Sequence, residues 1–429
     1  VTAHLDTIEA HQQRALTIVT PLAPVRLPLR DALGLVLAET LESRLDIPVF
    51  DNSAMDGYAV HRDDVLQATP AAPVTLRVTG DIPAGSALDP GIDSGETVRI
   101  MTGAPIPSDA DAVVQLEHTD GGVDVVAVST APWPAAHIRR RGEDVAAGDT
   151  VLEAGVRLTA YRVAAAAAAG HNSVLVRPAP RIAVIATGSE LREPGDSLER
   201  GQIPDSNSFL MAGLVAEAGA LAVRIAHVGD EPSELAAELQ SCLDLGVDAV
   251  LLSGGVSVGA YDVVKNTLSA SGSASGGTPL EATVGFHQVA MQPGKPQGLG
   301  TIGDGTPVFA LPGNPVSVAV SFEMFVRPAL LSMQGASEVH RRRVTAFAAT
   351  GWTCPPDRAQ VMPIVFERAG AEQAEASGDP AIRVRPATHG GSGSHLAGGL
   401  GRAEGYAVVP ADVDEVRVGD ALSVMEVPS

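Results

Sequence analysis

LLSGGVSVGAYD, at residues 251–262, joins an apolar run to a glycine-rich turn and ends on a carboxylate, Asp262. The run begins at Ala249 and stops at Ser253, Gly254 and Gly255. An apolar strand, a glycine turn and a polar helix start are how open α/β sheets build ligand sites at strand C-termini. Glycine lets backbone N–H groups approach an anion closely, and successive N–H groups form an anion-binding nest. The same pattern serves an ordinary strand-to-helix turn, so the neighbouring sequence has to decide.

The neighbours alternate. RIAVIATG, from Arg181, reads as a buried strand, followed by a helix over 206–218 and a strand over 221–228. A helix over 231–242 leads into the strand at 248–252, and another helix starts near Tyr261. SASGSASGGTP, 269–279, is small and polar and predicts a mobile loop. VGFHQVAMQPGKP and TPVFALPGNP supply two more strand-to-loop passages, and a helix over 315–333 closes the unit. Strands alternating with helices predict a doubly wound α/β domain over 179–334.

The flanks differ. Leu5, Ile8, Ala15, Leu16 and Val19 fall on one face of a helix over 4–20, which within 1–26 is expected to pack on the α/β domain. Segments 27–47 and 146–178 are expected to form a linking domain; in it Thr159 caps a helix through the alanine run and Gly170 ends it. Residues 48–145 read as a β-rich insert, with TLRVTG, GETVRIMTG, DAVVQLEHT and VDVVAVS as short strands. IPVFDNSAMDGYAV, 47–60, reads as a dense polar turn between apolar residues. Short strands return over 335–429, a C-terminal all-β domain with a hairpin loop at 369–380. The fold class is therefore α/β plus β, in several domains.

A chain of 429 residues is too long for one ordinary core. Its net charge of -22 argues against a nucleic-acid or anionic-membrane partner, because the long-range field repels both. A small anionic substrate stays compatible, since a local nest or lysine outweighs a distant field. Two cysteines, Cys242 and Cys354, give no disulfide framework. The N-terminal residues lack a basic segment followed by an apolar core, and no apolar run looks long enough to span a bilayer. These features predict a cytoplasmic protein.

Polar residues collect where the α/β strands should end. Glu190 follows RIAVIATGS, Asp230 follows AVRIAHVG, Asp262 follows the opening stretch, and Asn314 follows VFALPG. Loops converging at the carboxyl edge of a parallel sheet would form a pocket with three carboxylates. Hard oxygen donors without a thiolate or imidazole cluster suit Mg²⁺ bridging to a substrate phosphate. In PGNP, Pro312–Gly313–Asn314–Pro315, Asn314 can cap the next helix and Pro315 fits its first turn. Lys295 is one of only two lysines, with Lys265, and sits on a Pro-Gly loop where a point cation suits a phosphate or oxyanion. Asp51, Asn52, Ser53 and Asp56 share one turn, which by itself is as readily backbone chemistry as function.

PVFDNSAMDGYAV, VRIMTGAPIP, RRRGEDV, ATGSEL, SGGVSVGAYD, MQPGKP and LPGNPVS, in this order, closely resemble the molybdopterin molybdotransferase family, bacterial MoeA and the gephyrin E domain. The resemblance spans nearly the whole chain. It implies insertion of molybdate into adenylylated molybdopterin, with release of AMP and Mg²⁺ assistance. It also implies a homodimer with a composite site, and transient partners in molybdenum cofactor synthesis. On this resemblance Asp56, Thr102 and Asp144 serve from the insert side, and Glu190, Asp230 and Asp262 from the α/β side as metal ligands. Ser253, Gly254, Gly255 and Ser257, with Pro312, Gly313, Asn314 and Pro315, would hold the pterin and phosphates. Lys295, with Pro293 and Gly294 beside it, would help bind molybdate; Arg358 and Ser394 are the C-terminal candidates. Two departures stand out: Gln292 where the family often has a second lysine, and AGGL at 397–400 where small hydroxyl residues are common. The alternatives are an adenylyltransferase acting on free molybdopterin, and a scaffold or cofactor carrier.

Overall fold

The computed structural model describes residues 5–256, 263–269, 281–367, 382–388, 393–394 and 396–427. The loops expected at 269–279 and 369–380 fall outside these, apart from residue 269, and so do the residues around Tyr261.

Six strands build the central sheet: β1 (Arg181–Thr187), β2 (Leu221–Val228), β3 (Ala249–Ser253), β4 (Ala282–Gln288), β5 (Pro296–Ile302) and β6 (Thr306–Leu311). Their order is β2-β1-β3-β6-β5-β4. The first four are mutually parallel, whereas β5 runs antiparallel to both its neighbours. The sheet is thus mixed, which corrects the expectation of a parallel one. Its cause is loop length: Gly303 to Gly305 join β5 to β6, and a parallel connection needs a crossover of about a dozen residues or more. Because β5 reverses the chain, β4 again points the same way as β6. The loop after β4, residues 289–295, therefore emerges at the same carboxyl edge as the loops after β1, β2, β3 and β6.

Alternation along the strands divides the core. Ile182, Val184, Ala249, Leu251, Phe309 and Leu311 face the helix Asn207–Glu217 and the helix over 315–333. Ala183, Ile185, Val250, Leu252, Val308 and Ala310 face the helix Pro232–Leu245 through Leu235, Leu239 and Cys242. The helix over 315–333 has the length and apolarity to cross a membrane, contrary to the sequence expectation, yet 89% of it is buried inside the fold. It is a core helix, interrupted by one π-helical segment, Phe322–Val326.

That segment places Glu323 at a domain junction. Arg341 donates to both its carboxylate oxygens, Nε to Oε2 at 2.6 Å and Nη2 to Oε1 at 2.9 Å. The two side chains are 2% and 11% exposed. Burial works against the Arg341 charge, but the bonds to Glu323 outweigh it and raise its pKa. Burial, reinforced by the charge of Glu323, pushes up the pKa of Tyr406 on the C-terminal barrel. Breaking such a pair leaves a buried charge alone, which costs about 3–5 kcal/mol. Glu323→Ala is therefore expected to lower unfolding free energy by about that much, read from denaturant melts.

The N-terminal helix Ile8–Thr17 is capped by Thr7, whose Oγ1 accepts from Ala10 N–H at 3.1 Å. Ile8, Ala15 and Val19 join the core on the helix 315–333 side. His11 lies on the same buried face, edge-on to Phe325 at 4.6 Å between ring centroids. Burial, aided by the nearby His287, drops its pKa to about 4. The unfolded chain then takes up a proton near pH 6.5 that the folded chain refuses until about pH 4. His11 consequently costs nothing above pH 6.5 and withdraws stability as pH falls toward 4, by up to about 3 kcal/mol. His11→Phe should flatten that part of the acid limb in a stability-versus-pH series.

Strand Val25–Pro28 pairs with Ser173–Arg177, which also pairs with Val36–Leu37. Arg157 ties this region to the α/β domain, donating to Gln334 Oε1 at 2.8 Å and to Gly34 O at 2.6 Å. Thr159 caps the helix Ala160–Ala168, and Gly170 follows at φ +86°. In the insert, the five-stranded sheet takes Ala112–Gln115, Gly57–Val60, Glu96–Ile100, Val74–Ile82 and Val125–Val128 in that order. GYAV, expected as the flank of a turn, is an internal strand with every residue buried. A Cβ on Gly57 would lie 2.0 Å from Val114 O, so the strands pass too closely for any side chain there.

In the C-terminal part, Ala359–Glu367, Arg383–Pro386, Arg343–Ala348, Ala421–Glu426 and Gly405–Val409 pair in sequence, and the last pairs back to the first. The sheet is closed. Met291–Gln292 adds to it in parallel, with Met291 opposite Ala359 and Gln292 opposite Gln360. A loop read from sequence as part of the α/β unit thereby holds the barrel against that unit.

Candidate active-site cleft

A cleft of about 1120 Å³ opens at the carboxyl edge of the sheet. Strand order fixes what lies along it. Asp230 follows β2 and Glu190 follows β1; Gly254 and Gly255 follow β3; Pro312, Gly313, Asn314 and Pro315 follow β6; Pro293, Gly294 and Lys295 precede β5. Arg358 and Ser394 enter from the C-terminal domain. The two carboxylates thus stand at one end and the two cations at the other. From β1 to β5 is three strand spacings of about 4.8 Å, roughly 14 Å.

Each loop is held by contacts of its own. Ser189 N–H donates to Asp230 Oδ2 at 3.0 Å, and Asp230 N–H donates to Ser189 Oγ at 3.2 Å, coupling the loops after β1 and β2. Gly254 adopts φ +98°, and a Cβ there would lie 2.7 Å from Thr187 O and Oγ1. Gly255, at φ +62°, is crowded by Val264 N. These two positions need glycine for both angle and space. Ser253 is buried at the end of β3, its carbonyl accepting from Thr187 Oγ1 at 3.1 Å.

Asn314 stands at the N-cap position of the helix that starts at Pro315, but makes no capping bond with its side chain. Its Nδ2 donates to Ser394 Oγ at 3.1 Å instead, and Ser394 O accepts from Val316 N–H at 3.2 Å. The expected cap is therefore a bridge between domains. Gln297, 1% exposed, was not singled out from sequence; its Nε2 donates to Gly294 O at 2.6 Å and to Ser321 Oγ at 2.7 Å, fastening the Lys295 loop to the core helix. Lys295 and Arg358 are half-buried, and neither makes an ion pair among the described residues. Asn207, another lining residue missed in sequence, is hidden by the ordinary appearance of DSN before a helix.

Ser257 and Asp262 lie outside the described residues. Asp56, Thr102 and Asp144 do not line the cleft. They are exposed on the insert, where Thr102 donates to Asp56 Oδ1 from both N–H and Oγ1, each at 2.7 Å. The Thr102 backbone bond first, then its hydroxyl, hold the Asp56 carboxyl below the usual carboxylate range. Asp144 follows an arginine-rich turn fastened by Asp51, which accepts from Arg141 N–H at 2.7 Å and Arg140 Nη1 at 2.5 Å, and by an Asp46–Arg141 ion pair.

Two family models match the chain: the MoeA N-terminal region (domain I and II) over residues 6–170, and a probable molybdopterin binding domain over 183–332. Molybdopterin molybdenumtransferase 2 of Mycobacterium tuberculosis is 42% identical over 422 residues, covering 98% of this chain and 100% of that protein. The chain belongs to the MoeA family of molybdopterin molybdenumtransferases. Molybdopterin molybdenumtransferase 1 of the same organism is 33% identical over 98% of both chains. The crystal structure of a MoeA protein from Pyrococcus horikoshii superposes with a TM-score of 0.77 at 28% identity, covering 99% of this chain and all of that one. A MoeA-type architecture, with its molybdopterin-binding-like α/β unit and β-rich domains, thus accounts for the whole described chain.

Among the described residues, no three His, Cys, Asp or Glu side chains are grouped to hold a metal ion by themselves. Glu190 and Asp230 nevertheless suit Mg²⁺, which keeps waters and is commonly bound by one or two carboxylates plus substrate phosphates. Asp230 Oδ1 accepts none of the hydrogen bonds that fix Oδ2, so it remains available as a donor to a cation.

Proposed function

We infer that this MoeA-family chain is a molybdopterin molybdotransferase that takes adenylylated molybdopterin and molybdate, inserts the metal oxyanion at the pterin dithiolene, and releases AMP. The observation that carries this reading is the polarity of the cleft. A substrate with a phosphate bridge and a remote acceptor for an oxyanion needs the two kinds of charge kept apart. Asp230 and Glu190 on one side, and Lys295 and Arg358 on the other, supply that separation.

The residues then have distinct tasks. Glycine-loop N–H groups after β3 and β6 orient phosphate oxygens. Glu190 and Asp230 would hold Mg²⁺, with Asp262 as the third acid implied by the family. When bound, such an ion would supply neutralisation of the phosphate charge. Lys295 and Arg358 hold the tetrahedral dianion, the arginine through a fork of N–H donors. The substrate's own sulfurs carry the molybdenum chemistry, and the protein contributes position and charge. Asp56, Thr102 and Asp144 would complete the site from the insert of a second subunit, making a homodimer with a composite centre. What supports this is that the three are exposed yet stand apart from their own cleft.

Supplying ATP with free molybdopterin should yield no adenylylated product, whereas adenylylated molybdopterin with molybdate should release AMP. Rigorous chelation should abolish that release and Mg²⁺ restore it; undiminished release after metal removal contradicts the metal assignment.

A further inference from the structure

Gln297, the second residue of β5, is polar where the core calls for an apolar side chain. Strand alternation puts it beside Leu299, on the face covered by the helix over 315–333, and it is 1% exposed. Burying an amide there is costly unless it is paired. Its Nε2 donates to Ser321 Oγ on that helix at 2.7 Å and to Gly294 O at 2.6 Å. A carbonyl only accepts, so the second bond turns the amide nitrogen toward the loop.

What this bond holds is the peptide plane that enters Lys295. Gly294 O belongs to the Gly294–Lys295 peptide, so pinning it restrains the backbone on one side of Lys295. Lys295 O, on the next peptide, accepts from Val289 N–H at 2.8 Å, which restrains the other side. Together the two bonds set the direction in which the lysine side chain leaves the backbone. The loop has little slack: at Gly294, φ +96°, a Cβ would lie 2.9 Å from Ser321 Oγ and 3.2 Å from Met291 Cε. The Val289 bond is backbone pairing, whereas the Gln297 bond comes from a side chain. Lys295 lines the cleft and is the one cation of the loop over 289–295.

We propose that Gln297 is a positioning residue for the oxyanion seat, its carboxamide holding Lys295 in the orientation that binds molybdate before molybdate arrives. The inference rests on the reading of Lys295 given above. A lysine on an untethered loop is correctly aimed for only a fraction of the time, and apparent affinity falls by that fraction. Once bound, the dianion holds the ammonium itself. Loss of the tether therefore raises Kd and KM for molybdate, and turnover recovers at saturating molybdate. An amide with a merely structural role would lower the melting temperature and leave Kd unchanged.

The test is calorimetric titration of molybdate into the full-length protein, with KM for molybdate and kcat read from AMP release. Gln297→Leu keeps most of the side-chain bulk and removes both bonds. We expect Kd and KM to rise about tenfold, the upper range for one net hydrogen bond, with kcat within about twofold of wild type. Ser321→Ala removes one bond and leaves the one to Gly294 O, so both constants should rise about threefold. If Gln297→Leu does not fold, Ser321→Ala decides. Lys295→Met tests the premise: wild-type affinity in that variant, or no molybdate binding by the wild type, overturns the reading of Lys295 and the positioning with it. Weak binding by Lys295→Met, with wild-type affinity in the folded tether variants or kcat lost in step with affinity, overturns the positioning alone.

Discussion

Asp230→Asn is expected to reduce the rate of AMP release by about 10²–10³-fold, a range typical of losing one well-placed electrostatic contribution. Asparagine keeps an acceptor for Ser189 N–H, so the coupled loops after β1 and β2 should stay in place. What it removes is charge. A carboxylate attracts a divalent cation far more strongly than a neutral amide does, and the proposed Mg²⁺ would supply charge neutralisation to the substrate phosphates. The exposed position limits the effect on folding to within about 0.5 kcal/mol. Rate measurements at rising Mg²⁺ should show partial recovery. A variant with unchanged rate would remove Asp230 from the site.

Asp56→Ala should be equally damaging by itself, yet repairable by mixing. Asp56 and Thr102 form one hydrogen-bonded unit on the insert, exposed and outside the cleft of their own chain. If each centre combines the insert of one subunit with the cleft of another, Asp56→Ala and Asp230→Asn damage opposite halves. Coexpressed in equal amounts, half of the random dimers are mixed, and each mixed dimer holds one intact centre. Activity should then return to about a quarter of wild type, although either variant alone is nearly inactive. Differently tagged subunits allow the mixed dimer to be isolated and assayed. An inactive mixed dimer would place both residues in centres formed by single chains.

Much of this was legible in the sequence for physical reasons. RIAVIATG, LLSGG and VFALPG could be read because fully buried parallel strands are continuous apolar runs that end in turn residues. Loops at their ends must gather at one edge, and this is what brings Glu190, Asp230, Gly254, Gly313 and Lys295 to one cleft. Strand direction was not legible: β5, PQGLGTI, has few apolar side chains and does not read as a strand, so the reversal it imposes stays hidden. Neither was GYAV, which four residues of turn chemistry in DNSAMDG overshadow. Asn314 shows the limit of local rules. Its type and place are right for a cap, but a tertiary partner, Ser394, takes its side chain. Gln297 and Asn207 have no local signature, because their partners lie in other segments brought close only by folding.

The most direct test of the cleft's assigned chemistry is a single turnover with adenylylated molybdopterin and molybdate, following AMP and pterin-bound molybdenum in the same sample. The two should appear together in a one-to-one ratio, with no AMP when molybdate is withheld. AMP released at the same rate without molybdate, or molybdenum bound without AMP release, would contradict that chemistry.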